Sequence, residues 1–347
     1  MRRLALPLIV LGILALAASV AGAGQTNIQS GTVFVTERTL GSSSVAAFDA
    51  GSGEVLWKSP TGNAPIGVTK PHGTDKVYTS DESALPPQLS VLDERSGALL
   101  RTIPMGVRPH HLMTSPNGNF IYVGEFGQNT IGVVDTSSDT EIAHYTASEQ
   151  PTARTHAVWI SNDGKNLYAT NAGTANTIAK LEASTGERLW ELPIGANPSE
   201  ILVTQDDKLA YVSVRNEDKI KVVDVSGEAP LVIGEAEAKS QPDTLSLTND
   251  GKTLVVGLRS APFTPARARA ALVDTETLQT RYVEMPAHTT TGHQWLSANG
   301  KYTFMAVESP GALAVIDNET AELVTEYAYP DGGSRPHGVF YELQVLR

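Results

Sequence analysis

Tyr122-Val123-Gly124-Glu125 closes an aromatic and branched strand on a small residue and an acid, and the chain repeats that phrase seven times. The other copies are FVTE (Phe34–Glu37), YTSD (Tyr78–Asp81), YATN (Tyr168–Asn171), YVSV (Tyr211–Val214), VVGL (Val255–Leu258) and FMAV (Phe304–Val307). Their starts lie 44, 44, 46, 43, 44 and 49 residues apart. A period in the forties built from strand-forming residues predicts an all-β fold, a β-propeller in which each repeat is one four-stranded blade.

Working outward, each phrase leads through a turn to an alternating strand ending in an acid, as in VAAFD (Val45–Asp49), LSVLD (Leu89–Asp93) and IGVVD (Ile131–Asp135). The acid caps backbone amides of a turn such as AGSGE or ERSGA, where glycine supplies positive φ. An outer strand follows, then a crossing inward and a hairpin back to the next phrase. Phe34–Glu37 has no inner strand before it, whereas Arg335–Phe340 is a spare one at the other end. The last strand is therefore expected to complete the first blade and leave no open sheet edge. This makes one seven-bladed domain over residues 24–347.

Residues 1–23 begin Met-Arg-Arg, continue in an apolar run from Leu4 to Val20 and end Ala21-Gly22-Ala23. That pattern predicts a cleaved secretory signal peptide and a periplasmic or secreted protein with no membrane segment after cleavage. There is no cysteine, which excludes disulfides, thiolate metal sites and thioether haem. The net charge of −12 argues against nucleic acid as a partner. A monomer is expected.

The seven phrases, with the recurrent proline before the inner strand (Pro65, Pro109, Pro198, Pro242, Pro336), resemble the YVTN-repeat seven-bladed propellers of exported prokaryotic proteins. The resemblance covers residues 31–347. It implies fold more than activity, because that family includes surface-layer proteins, accessory proteins of quinone-dependent oxidation and dehydrogenase subunits.

Registered on the following hairpin, the inner strands begin at Ile66, His110, His156, Ser199, Asp243, Gly292 and His337. Their second residues are Gly67, His111, Ala157, Glu200, Thr244, His293 and Gly338. Five of the eight histidines fall in these two columns, and inner-strand starts ring one mouth of a propeller channel. Arg108, Arg154 and Arg335 each precede a column histidine by two residues. In an extended strand i and i+2 face the same way, so Arg and His are expected to project together. Three readings compete for this mouth. His110, His156 and His337 suit a divalent transition metal, Zn, Cu or Ni. The Arg–His set suits an anion, since guanidinium forks match carboxylate and phosphate. Alternatively, the polar side chains satisfy strand ends and ordered water.

The expected function is a non-catalytic propeller binding a small anionic ligand, metal ion or partner protein at this mouth. The alternatives are a propeller lactonase-like hydrolase, with His110 or His156 as base, and an accessory subunit of a quinone-dependent oxidoreductase. Glu37, Asp81, Glu125 and Asn171 end the second strand of the first four repeats and read as caps of neighbouring turns, with a calcium site as the rival. Arg215, Arg259 and Glu308 stand one place later in the last three. His72, His144 and His288 read as surface residues, Trp57 and Trp190 as packing between blades, and Ser260–Arg269 as a variable loop.

Overall fold

The computed structural model describes residues 28, 30–39, 41–259, 268–285, 290–309, 311–333 and 335–343. The expected signal peptide, His288 and residues 260–267 of the inserted loop lie outside these. Seven four-stranded antiparallel sheets stand in a ring. Blade 1 spans 31–60, blade 2 65–104, blade 3 109–146, blade 4 153–193, blade 5 198–237, blade 6 242–285 and blade 7 290–328. Among the described residues no helix is long and apolar enough to cross a membrane.

Closure is as expected. Pro336–Leu343 pairs antiparallel with Gly31–Glu37, with Phe34 opposite Phe340 and Val33 opposite Tyr341. The seam is packed like every other blade junction: Val33, Phe48, Phe304, Leu313 and Tyr341 form one buried cluster across it. Middle strands are buried on both faces because each blade is sandwiched between two others; Gly31–Glu37 is buried throughout. Burying a Leu, Ile or Phe side chain contributes about 1.5–3 kcal/mol, and this stacking repeats around the whole ring. Outer strands meet water, so Leu99 and Leu231 are exposed.

Aromatic residues of the outer strands join blade to blade. Trp57 Nε1 donates to the Glu94 carbonyl of blade 2 at 2.8 Å. In the same way Tyr327 of blade 7 donates to the Ala50 carbonyl of blade 1 at 3.1 Å. Each lies on a turn glycine of positive φ, Gly97 (+70°) under Trp57 and Gly53 (+73°) under Tyr327, where a Cβ would collide with the ring. The turn acids cap as expected: Asp49 Oδ1 accepts the Ser52 amide at 2.8 Å and the Ser52 hydroxyl at 2.7 Å. Of the second-strand acids Glu37 and Asp81 cap turns, whereas Glu125 accepts from the Gln128 and Thr130 side chains. Glu37 accepts the Thr39 amide at 2.8 Å and the Arg335 amide at 2.9 Å, and Asp81 accepts the Gly62 amide at 3.1 Å.

Candidate functional site

The inner strands are not plain extended strands where the two columns fall. In blade 3 Pro109 faces Glu125 and Leu112 faces Val123, so His110 and His111 together oppose the single residue Gly124. Ser199 and Glu200 oppose Ser213 in the same way, as His156 and Ala157 oppose Thr170. Gly292 and His293 oppose Ala306, and His337 and Gly338 oppose Thr36. Each pair is a β-bulge, a device that re-aims side chains and leaves backbone groups unpaired.

The third residue of the repeated phrase supplies the missing partner. Thr170 Oγ1 accepts the Ala157 amide at 3.0 Å and donates to the Ser199 carbonyl of the next blade at 2.6 Å. Ser213 does the same with the Glu200 amide at 2.9 Å and the Asp243 carbonyl at 2.7 Å. Thr36 and Ser80 repeat it in blades 1 and 2. The small polar residue that marks the repeat thus stitches one blade's bulge to the next. Blade 3 has Gly124 instead, whose Cβ would lie 2.8 Å from the His156 carbonyl oxygen.

The bulges gather the columns into layers. His110 and His156 lie ring to ring with centroids 4.3 Å apart. His337 lies 5.0 Å from His293, and His293 5.5 Å from His111. His111 Nε2 is 3.2 Å from Glu200 Oε1, and Glu200 Oε2 accepts the Leu245 amide at 2.9 Å. Asp243, 1% exposed, is the charged centre: Ser199 Oγ and Arg215 donate to it, Arg215 Nε at 3.0 Å, and Arg259 stands 3.4 Å away. Burial alone would raise the Asp243 carboxyl, but Arg215 and Arg259 outweigh it and hold it well below the usual carboxylate range. Burial first, then neighbouring cations and imidazoles, pushes His110, His156, His293 and His337 well below the ordinary imidazole range. These rings are neutral at neutral pH.

The arginines and histidines do project together, but not by strand periodicity. Arg108 has φ of +57°, outside the extended region. Arg108 and Arg154 lie over Phe126, 4.9 and 6.0 Å from its centroid, and Phe126 in turn covers His110 and His156 at 5.4 and 5.2 Å. Arg335 and His337 share Glu308, at 3.4 and 3.6 Å. One further ring, a single place beyond the repeated phrase, carries Arg38, Glu82 and Phe126 in blades 1–3 and Arg215, Arg259 and Glu308 in blades 5–7. Only its last three members stood out in the sequence. Arg108 pairs with Glu82 at 2.5 Å, whereas among the described residues no carboxylate lies within 4.0 Å of Arg38 or Arg154.

Behind the histidines the channel widens into a cavity of about 760 Å³, floored by His111, Glu200 and His293 and walled by Trp159 and Trp295. The three histidines expected to hold metal are not a compact ligand set. Among the described residues the one group of this kind with ligand atoms within 4.8 Å of one another is Glu125, Glu141 and His144.

Over residues 72–344 the chain matches the family described as YNCE-like beta-propeller. It belongs to that family. No curated protein matches significantly. Among solved structures, this YNCE-like propeller is similar to a putative 6-phosphogluconolactonase from Bacteroides uniformis, at 20% identity and a TM-score of 0.74, with 90% of this chain and 100% of that one covered. The periplasmic gluconolactonase PpgL of Pseudomonas aeruginosa gives 17% identity and a TM-score of 0.71 over 91% of this chain and 100% of that one. Hydrazine synthase of Kuenenia stuttgartiensis gives 17% and 0.66 over 83% and 90%. At these identities the likeness is one of fold.

Proposed function

We propose that this propeller is an exported binding module that takes a small carboxylate- or phosphate-bearing anion at the arginine-ringed mouth of its channel. One observation carries the reading: Arg38 is a half-buried guanidinium whose buried Nε has no hydrogen-bond partner among the described residues. Burial, and then the cations Arg259 and Arg335, oppose its charge, with Glu308 the main group in its favour. A cation kept in that position is stabilised by an arriving anion, and among the described residues Arg154, on the other side of the mouth, has no carboxylate within 4.0 Å either. A metal ion on the channel imidazoles would instead face Arg215, Arg259 and Arg38, whose field repels it.

Calorimetric titration of the mature chain with 6-phosphogluconate, gluconate and inorganic phosphate tests this. Binding of at least one, weakened by both Arg38→Gln and Arg154→Gln in folded variants, is the expected result. No binding of any of the three, or binding indifferent to both substitutions, overturns it.

Lactone hydrolysis is the second reading, favoured by His110, a neutral imidazole whose buried Nδ1 has no partner among the described residues, beside a guanidinium-rich mouth. There His110 would be the general base and the arginines would stabilise the developing oxyanion. Turnover of glucono-δ-lactone that His110→Gln abolishes would establish it.

A further inference from the structure

We propose that blade 3 carries a second site, away from the channel, for a divalent transition-metal ion of the zinc class, held by Glu125, Glu141 and His144. One ligating atom of each lies within 4.8 Å of the others. His144 Nδ1 is 3.1 Å from Glu125 Oε2, and His144 Nε2 is 3.3 Å from Glu141 Oε2. One imidazole and two carboxylates, with a side open to solvent at the 44%-exposed His144, match the N/O donor set of zinc with an open coordination position.

Two observations separate this from an ordinary acidic cluster. The Glu125 side chain is fully buried, yet among the described residues its Oε1 has no hydrogen-bond partner, and neither has Glu141 Oε1. Both orphan oxygens lie against Gly132, where a Cβ would come within 2.6 Å of Glu141 Oε1, 2.9 Å of the Met105 methyl and 3.4 Å of Glu125 Oε1. The other Glu125 oxygen is oriented by Gln128 Nε2 at 2.8 Å and by the Thr130 hydroxyl, the kind of outer support a ligating carboxylate needs.

The repeat itself supplies the control. At the register place of Gly132 the other blades carry a side chain: Ala46, Ser90, Ala179, Lys221, Ala271 and Ala314. Ser90 in blade 2 donates its hydroxyl to the buried Asp81, at 2.6 Å, a hydrogen bond that Gly132 cannot supply to Glu125 in blade 3. Blade 4 has Arg188 at the place of Glu141, and there its guanidinium balances Glu191 at 3.6 Å. Among the described residues, blade 3 alone combines a buried acid, a second acid, an imidazole and a glycine at this register place. A cation is the species that completes it.

The test uses the metal-free mature chain without a polyhistidine tag, titrated with Zn²⁺ alone by calorimetry. One ion per chain is expected. His144→Ala and Glu141→Gln should each weaken binding on the order of 100-fold or more, since even outer-shell partners of metal sites are worth 10–100-fold. Gly132→Ala, which keeps every ligating side chain but sets a Cβ against Glu141 Oε1, should weaken it as well. His110→Ala/His337→Ala should leave it unchanged. Absence of Zn²⁺ binding, or binding that survives His144→Ala and is lost in the channel variant, overturns the proposal. Should His144→Ala unfold the chain, Gly132→Ala decides alone, and undiminished binding there is equally fatal.

Discussion

His156 donates its Nδ1 hydrogen to the Ser199 carbonyl at 2.9 Å, and that same oxygen accepts the Thr170 hydroxyl at 2.6 Å. With Nδ1 the donor, Nε2 carries the lone pair, and Arg215 donates to it at 3.2 Å. A residue of the repeated phrase therefore sets the place of a channel imidazole on the adjacent strand, through a carbonyl of the next blade. Thr170→Val removes a buried hydroxyl that serves the Ala157 amide and the Ser199 carbonyl together. Leaving buried groups unsatisfied costs about 1–3 kcal/mol. Chemical denaturation should show a loss of that size with the fold retained; a neutral effect would mean that the stitch does not stabilise the bulge.

Asp243 and Arg215 are predicted to be strongly coupled. Breaking a buried ion pair from one side costs about 3–5 kcal/mol, because the survivor stays buried and uncompensated. Arg259 offsets part of this for Arg215→Met, so Asp243→Asn should be the harsher change, leaving Arg215 and Arg259 facing each other and His156. The double variant is expected to lose less than the sum of the two single losses. Strict additivity in the double-mutant cycle would show that the two side chains do not act as a pair.

The ring was legible because its period survives in seven copies, and closure was legible because a strand was missing at one end and spare at the other. The two columns at the mouth were legible as positions, but their geometry was not. A bulge inserts one residue without changing composition, so His110 and His111 read as successive strand residues on opposite faces when both are turned by one kink. Arg38, Glu82 and Phe126 do not stand out because they sit in hairpin turns, where charge and aromatics ordinarily mean only solvent exposure. The sequence does carry the relevant signal: each follows a second-strand acid by one place, as Arg215 follows Val214. His144 is the surface residue the sequence suggests, 44% exposed on an outer strand, but its contact with a buried acid is not legible there. Its partner Glu125 is 19 residues away and pairs with it only once the outer strand is folded back.

Asp81 gives a pH signature of one sign. Burial raises its carboxyl from 3.8 to about 6, with hydrogen bonds from Ser90, Gln88 and Gly62 working against the rise. The fold then holds a proton that the unfolded chain has released. This contribution is fully present below about 4 and is lost as pH rises through about 6, an effect on the order of 2 kcal/mol. Asp81→Asn removes the titration. Relative to the parent, the variant should gain stability between pH 4 and pH 7; an identical pH profile for both would show that the buried carboxylate is tolerated without cost.

The channel histidines carry the opposite sign. His110, His156, His293 and His337 all titrate well below the ordinary imidazole value of 6.5, through burial first and then their neighbours. Above that value folded and unfolded chains are equally deprotonated and the contribution is complete. As pH falls below it the unfolded chain gains protons that the folded channel refuses, so stability declines towards the depressed folded values. Paired denaturation of the parent and a His110→Gln/His293→Gln variant at pH 5 and pH 7 isolates the effect, because Asp81 is common to both. The parent should lose more on acidification than the variant. Equal losses would mean that water or an anion at the mouth already stabilises the imidazolium forms, and that the channel is wetter and more polar than its packing implies.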